Sequence, residues 1–563
     1  RGVTKKIFAD FTKYYDRDVF IAAGKRIRKL AAAADRETPT RRVMQIAEIF
    51  RHFKNPDKET VLTPWRVVNM HMTDTIGGWC FFNEQFEDDT NEEKKRLAEP
   101  RFVDRGDVTA EIFREDGKVL EINSKTGLYP LYVAYSFYRQ RLENTTDDDW
   151  EPEELNVFWA EAVQKNVFVI CKTPMAKSIT KRTLRGFSDI SVNAHYFDDL
   201  VNMLKNKPEQ FKKRILKGSY WNKEVKEMKF DAVVGNPPYQ AFLGGASPLP
   251  IYQVFVESAF QLNPNYVSMI TPARWFNTGT GLDVFREKML HDDRIAVMSD
   301  FINARNCFSN VEIKGGVQYF LWNSNYHGKC NITTYYENGN IAKSFRPLIE
   351  PGMDSYIRNT SMISILKKVK SKDELSFSIL ISSRDPFGYD IRLPGSYKVA
   401  KHKYSLKKTN TFDVEFYYNG WRNDGVGYVS LDSVNDNKEW VDKIKVLIPK
   451  AWGTGDESTD RLNPFIVGKH SVCTETYLVI GPFADNETAK NVVSYINTKF
   501  FHMMVSFLKI SQNAAKGVFN LVPIQDFSKV WTDKMLYEKY SFTQDEIMYI
   551  ESIIRSKDGE AGL

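Results

Sequence analysis

The residues with the most chemistry in them stand at Asn236-Pro237-Pro238-Tyr239, where the apolar run Ala232-Val233-Val234-Gly235 stops abruptly. Two consecutive prolines fix φ, withhold two backbone donors and keep the residue before them out of helical space, so the loop is stiff. An asparagine amide oxygen beside a proline carbonyl can accept both hydrogens of a planar exocyclic amine, while a tyrosine stacks on the ring that carries it. Accepting both hydrogens draws the nitrogen lone pair out of conjugation, which readies an aromatic amine to attack an electrophile. A Pro-Pro pair that simply ends a strand in a surface turn is the competing reading.

The elements around this loop are those that place chemistry at a strand end. Ala232-Val233-Val234 is short, β-rich and apolar on both faces, as a central strand of a parallel sheet must be. Ligands in open α/β sheets bind beyond the carboxyl ends of such strands. Strand-like runs alternate with helical ones at Lys118–Ile122, Val167–Ile170, Ala232–Val234, Tyr266–Ile270 and Val317–Trp322, the pattern of a doubly wound sheet over residues 61–340. Residues 1–60 read as helical and basic, with Lys25-Arg26-Ile27-Arg28-Lys29 ahead of an apolar helical stripe from Val43 to Phe50. Residues 341–563 change to short aromatic-rich segments with turn signals such as Tyr418-Asn419-Gly420-Trp421, a separate mixed α+β region.

Composition narrows the classes. Hydrophobic content of 42% and charged content of 27% are those of a soluble globular protein, and 563 residues exceed one ordinary core. No apolar run reaches membrane-spanning length, and the N-terminus carries no signal-peptide core. Cysteines at 80, 171, 307, 330 and 473 form no Cys-x-x-Cys pair, which points to a reducing cytoplasm and to neither a disulfide framework nor a zinc cluster. No phosphate-binding loop and no His-Glu-x-x-His are present. A net charge of +6 permits a nucleic-acid partner without demanding one. Asp300 with Glu312-Ile313-Lys314 matches a metal-nuclease pattern too loosely to carry weight. The chain opens Arg1-Gly2 without methionine, as expected of a processed or excised piece of a longer polypeptide.

With strand, Asn236 and Tyr239 in register, the sequence resembles the Asn-Pro-Pro-Tyr amino-methyltransferases, which transfer a methyl group from S-adenosylmethionine to adenine N6. Similar tetrapeptides occur in enzymes that methylate glutamine in release factors or bases in ribosomal RNA, so a protein or ribosomal RNA methyltransferase stays open. Leu120-Glu121-Ile122-Asn123-Ser124-Lys125-Thr126-Gly127 resembles the family's first motif, although the family has proline at Ile122 and glycine at Lys125. The resemblance assigns Glu121, Asn123 and Gly127 to the methionine moiety of the cofactor. Val61-Leu62-Thr63-Pro64-Trp65 resembles the motif beside the cofactor carboxylate and assigns Thr63 and Pro64. Thr63 as helix N-cap with Pro64 at the first helical position explains the same letters structurally. Asp198 and Asp199 stand where the family carries an acid near the cofactor's adenine. One departure is serious: the strand ending at Ile170 runs into Cys171-Lys172-Thr173-Pro174, where the family places an acid on the cofactor ribose.

The motif order resembles the gamma class of DNA adenine-N6 methyltransferases of restriction-modification systems, the type IIG and type I-like modification enzymes. The resemblance assigns Phe308 to stack on the target base opposite Tyr239; a core phenylalanine is the alternative. It further implies a Rossmann-like catalytic domain over 61–340, a helical segment over 1–60, and a target-recognition domain over 341–563. That domain would contact double-stranded DNA through Lys367, Lys368, Lys370, Lys401, Lys403, Lys407, Lys408, Trp421 and Arg422. The target adenine would be flipped out of the duplex, without metal, and a restriction nuclease or helicase domain or subunit would be a partner. The altered ribose strand keeps a second reading open, a degenerate methyltransferase retained as a DNA-recognition subunit.

Overall fold

The computed structural model describes residues 16–53, 62–86, 96–145, 149–241, 248–276, 281–308, 313–337, 339–351, 355–389, 404–451, 462–509 and 515–554. The chain divides into two compact units, Arg1–Gly352 and Met353–Leu563. Among the described residues no helix is long and apolar enough to cross a membrane.

In the first unit, helices α1 (Arg17–Ala34) and α2 (Pro39–Arg51) precede α3 (Trp65–Thr75). A two-stranded sheet of β1 (Gly78–Phe82) and β2 (Arg96–Val103) follows. Then come β3 (Val119–Ser124), α4 (Leu128–Glu143), β4 (Val167–Cys171), α5 (Pro174–Arg185), β5 (Asn193–Tyr196), α6 (Leu200–Asn206) and β6 (Ala232–Gly235). The short strands β7 (Gln240–Ala241) and β8 (Leu249–Pro250) close behind the loop, followed by α7 (Tyr252–Gln261) and β9 (Tyr266–Pro272). The unit ends with β10 (Ile295–Phe301), β11 (Val317–Asn323), β12 (Cys330–Tyr335) and β13 (Ile341–Arg346).

Nine of these strands form one mixed sheet in the order β13-β12-β10-β11-β9-β6-β3-β4-β5. From β5 to β9 every neighbouring pair is parallel. β11 then runs antiparallel to both β9 and β10. The five strands expected from sequence are all present, because each is a predominantly apolar run that a two-sided sheet can bury. β5 and β10 were not expected: Asn193-Ala194-His195-Tyr196 alternates no apolar face, and β10 buries Ser299 and Asp300 within its run. β13 pairs with β12, so the sheet extends past residue 340.

The N-terminal helices join this unit through α2. Ala34, Val43, Ile46 and Ala47 lie in the same core as α4 and β4, and buried Arg42 bridges Asp35 and the Thr183 carbonyl. α1 is exposed along almost its whole length.

The second unit contains two three-stranded sheets. In one, β14 (Val414–Tyr417) lies between antiparallel β15 (Gly427–Val429) and a parallel strand at Ser471–Cys473. In the other, β16 (Ile444–Pro449) lies between Phe465–Val467 and Tyr477–Phe483, both antiparallel. One core built on Val414, Phe416, Leu447, Val472 and Val479 joins the two sheets. The helix Lys499–Ser506 buries Phe500, Phe501, Met503, Met504 and Val505.

Candidate active site

The loop that follows β6 is held from three sides. Gly235 has φ +154°, and a Cβ there would come within 3.1 Å of the Ile122 carbonyl, so a glycine lets the end of β6 lie against the end of β3. The Asn236 carbonyl accepts from Asn123 Nδ2 at 3.3 Å. The Tyr239 carbonyl accepts from Ile251 N at 3.2 Å, where β7 and β8 begin to pair. Two prolines between these anchors leave little freedom.

The asparagine side chain itself is buried, at 3% exposure. Its Nδ2 donates to Thr63 Oγ1 at 2.9 Å, while its Oδ1 has no hydrogen-bond partner. An unpartnered buried carbonyl oxygen forfeits free energy until something supplies the donor. Tyr239 is half-buried, and its hydroxyl likewise lacks a partner of ordinary geometry although the Asn236 side chain is a near neighbour. Burial holds this phenol well above its usual range, so it stays neutral.

At the end of β3 the chain bulges. Ile122 pairs with Ile170 and Ser124 with Cys171, leaving Asn123 unpaired at φ +78°, a left-handed position that asparagine tolerates. Asn123, assigned by resemblance to the cofactor, therefore spends its amide on the loop of Asn236. Glu121 is different. Its Oε2 is buried without a partner, and burial pushes its carboxyl up to about 8 against the pull of Ser124 and Lys125. A buried carboxyl with one oxygen unpartnered suits a bound cation.

Gly127 answers to packing. It sits at φ +81°, and a Cβ would approach Thr180 Cα at 3.0 Å and Thr183 Cβ at 3.2 Å. Helix α5 is stitched to the same turn, with Thr183 Oγ1 donating to the Thr126 carbonyl at 2.6 Å and Ser124 Oγ 3.1 Å from Thr180 Oγ1. Cys171 is fully buried at the end of β4, Lys172 is exposed, and Thr173 accepts from Ala176 N to cap α5. At that strand end, no carboxylate stands where the family holds the ribose. Asp199 caps α6 by accepting from Asn202 N at 3.2 Å, and Asp198 is exposed beside it.

The structural explanation of Thr63 fails: the N-cap of α3 is Pro64, no side chain caps the helix, and the threonine hydroxyl faces Asn236. Arg66, in the first turn of α3, was not singled out by sequence. It is buried and donates to the Phe86 and Cys307 carbonyls, each at 2.7 Å. Phe308, the next residue, is only 1% exposed in a cluster with Val67, Ile270 and Tyr319 against which Tyr239 packs. Stacking on a base would require uncovering it. Deeper still, His71 bridges Tyr129 Oη and Ser268 Oγ, both at 2.8 Å, and stacks on Tyr319. Burial lowers its imidazole to about 3, so it is a neutral structural link. A histidine, Asn69 and two threonines on the buried faces of this helix were the available signal.

Residues 165–308 match the Eco57I restriction-modification methylase family. The matched stretch runs from the start of β4 to Phe308 and contains Asn236 to Tyr239. Over 160 residues, 27% of this chain, the sequence is 34% identical to a protein of Mycoplasma pneumoniae described as an uncharacterized adenine-specific methylase. The match spans 37% of that protein's length. Among solved structures, the Type IIL restriction-modification enzyme MmeI in complex with DNA is similar with a TM-score of 0.45 at 11% identity, over 78% of this chain and 68% of that one. A nuclease-deletion mutant of the Type ISP enzyme LlaGI with a DNA substrate mimic gives 0.46 at 9% identity, over 84% and 47%.

Glu121, Asn123 and Thr63 lie outside the segment matched by the methylase family, yet Asn123 and Thr63 reach into it through Asn236. In the second unit the candidate cations divide. Lys368 is engaged internally, in an ion pair with Glu546 at 2.6 Å and a bond to the Ser541 carbonyl, while Lys367 and Lys370 are exposed on the same helix. Lys407 and Lys408 are exposed; Lys401 and Lys403 lie outside the described residues. Trp421 is half-buried, donates Nε1 to Tyr477 Oη at 3.0 Å and packs on Phe465. The exposed Arg422 guanidinium lies over both rings, 5.4 Å from Trp421 and 5.5 Å from Phe465.

Proposed function

We propose that this chain is the modification part of a restriction-modification system, a Rossmann-like methyltransferase that moves a methyl group from S-adenosylmethionine to adenine N6 in duplex DNA. One observation carries the proposal: a buried carboxamide at the carboxyl end of a parallel strand, its nitrogen held and its oxygen left for a donor. In this reading Asn236 Oδ1 and the Pro237 carbonyl accept the two amine hydrogens, Pro238 keeps the loop rigid, and Tyr239 stacks on the base, with buried Phe308 meeting its other face only once uncovered. Holding both hydrogens in the plane of the two acceptors localises the nitrogen lone pair for in-line attack, and the amine's spare proton leaves to solvent after transfer.

The cofactor supplies the electrophilic sulfonium methyl. Glu121 fits its cationic end, because its buried, unpartnered Oε2 is where an ammonium recovers the lost hydrogen bond. Extruding the base costs a few kcal/mol, which stacking offsets. Supporting a DNA-recognition role for the second unit are exposed Lys367, Lys370, Lys407 and Lys408 and the Arg422 guanidinium over an aromatic pair, suited to phosphate and base contacts.

The test is incubation with labelled S-adenosylmethionine and duplex DNA, followed by mass spectrometry of the nucleosides. N6-methyladenine should form with the wild type and be lost with Asn236→Ala while DNA binding persists. Full activity of that variant would sink the mechanism. The buried Cys171 and exposed Lys172 at the ribose position favour one second reading, a DNA-recognition protein without transfer. Calorimetry separates the two, since that reading predicts no uptake of S-adenosylmethionine.

A further inference from the structure

We infer that the tip of the β14–β15 hairpin is a base-reading element, and that Arg422 on it reads a guanine in the recognition sequence. The inference rests on reading the chain as a protein that acts on duplex DNA, and it adds the residue that selects the sequence. Strands β14 and β15 pair antiparallel from Val414 with Val429 to Phe416 with Gly427. Between them the chain makes one helical turn, Trp421–Asp424, bracketed by Gly420 at φ +103° and Gly425 at φ +89°. Both glycines occupy left-handed backbone, which lets so short a loop leave the hairpin and return to it.

Two aromatic residues root this turn. Tyr418 is buried, and its hydroxyl donates to the Gly425 carbonyl at 3.1 Å, closing the neck of the loop. Trp421 donates Nε1 to Tyr477 Oη at 3.0 Å and packs on Tyr417 and Phe465, with ring centroids 5.0 Å and 5.4 Å away. The three residues that follow, Arg422, Asn423 and Asp424, are all exposed. These side-chain types match guanine, adenine and cytosine edges in the major groove, which admits a helix or a two-stranded ribbon.

Arg422 is the best supported of the three. Its guanidinium lies over Trp421 and Phe465 together, 5.4 Å and 5.5 Å from the ring centres, so its plane is held. Arg42, Arg139 and Arg294 also lie over rings, but each is closed by a carboxylate: Asp35 at 3.0 Å, Glu143 at 3.1 Å and Asp292 at 2.7 Å. The Arg422 guanidinium joins no ion pair and donates no hydrogen bond among the described residues. Its N–H donors all stay available to a ligand. A phosphate contact asks for positive charge and tolerates a swinging side chain, and exposed Lys367, Lys370, Lys407 and Lys408 offer that. Fixing the plane of a guanidinium gains something only where direction matters. Guanine presents two major-groove acceptors, O6 and N7, that match a planar fork.

The experiment selects duplexes from a pool with randomised positions, using the full chain as wild type, Arg422→Gln and Arg422→Lys. It reads the bound sequences, the N6-methyladenine formed in them, and the thermal unfolding of each protein. The wild-type sequence should contain a fixed G·C pair preferred about 10- to 100-fold over the alternatives. Both variants should bring the pairs at that position to within about threefold of one another, while every other fixed position keeps its preference. A wild-type sequence without a fixed G·C pair would overturn the inference. So would unchanged preferences in both variants, or a uniform weakening across all sequences that lysine restores, which is the phosphate role. Should glutamine prevent folding, lysine gives the same readout; loss of folding in both would make Arg422 structural and overturn the inference. A wild type with no sequence preference, bound or methylated, would instead overturn the DNA reading itself. Sequence-selective binding without methyl transfer would remove only the transferase reading and leave Arg422 to be judged from the bound sequences.

Discussion

Glu121 in the first unit and Lys445 in the second are both ionisable side chains buried on strands, and the fold treats them in opposite ways. Lys445 is fully buried, and its Nζ donates to the carbonyls of Trp440 at 2.8 Å, Val441 at 3.1 Å and Lys443 at 2.7 Å. All three ammonium hydrogens are thereby used. Burial still lowers it to about 8, opposed by nearby Cys473 and Asp442. Glu121 is raised to about 8 by the same desolvation, but its Oε2 finds no partner within the protein. A completed buried polar group holds structure together, whereas an incomplete one costs stability and persists where function asks for it. Asn236 Oδ1 and the Tyr239 hydroxyl, beside the same sheet ends, are likewise buried without a partner.

The contrast breaks first at Asn236. Asn236→Ala should reduce methyl transfer by roughly 10³-fold, equivalent to about 4 kcal/mol, with a melting temperature equal to or above wild type. A large loss of stability would mean that this side chain is structural after all. Lys445→Met should do the reverse, leaving three carbonyls without their donor and costing the second unit about 3 kcal/mol, read by urea unfolding. An unaltered midpoint would show that the completed cluster holds nothing.

The third effect is a slope, smallest when read per pH unit. Because Glu121 titrates near 8 when folded and near 4.5 when unfolded, the folded state binds the extra proton between those values. Stability from this group is therefore complete below the unfolded value and is lost as pH rises toward 8, by at most about 1.4 kcal/mol per pH unit. Glu121→Gln, which mimics the protonated form, should flatten that slope in thermal unfolding measured from pH 5 to 8. Identical pH profiles for the two proteins would place Glu121 in contact with solvent or with a partner. Binding of a cation should in turn favour the ionised form, so wild-type affinity for S-adenosylmethionine should increase across the same range.

The strands that carry the site were legible because central parallel strands are short and mainly apolar, as are Val167–Cys171 and Ala232–Gly235 throughout and Val119–Ser124 apart from Glu121 and its polar end. The edge strand Asn193–Tyr196 was not, since half-exposed polar residues leave no periodic trace. Gly127 shows the same limit from another side. A glycine after a strand reads as room for a ligand, while the structure fills that room with Thr180 and Thr183 of α5. Lys368 reads as a surface cation, but Glu546, distant in sequence, neutralises it. In each case the deciding atom belongs to a segment that local pattern does not mention.

What the sequence determined by itself is the loop: two prolines, an amide and a phenol after a β-rich run are stiff and amine-holding wherever they stand, because backbone sterics are local. What only the tertiary structure decided is what holds that amide in place and which buried polar atoms are left without partners. Thr63 meets Asn236, and Asn123 bulges out of β3 to meet the same residue, because the sheet brings the ends of β3 and β6 and the start of α3 together. Hydrogen bonds between segments more than a hundred residues apart are set by packing, and packing has no signature in a single sequence.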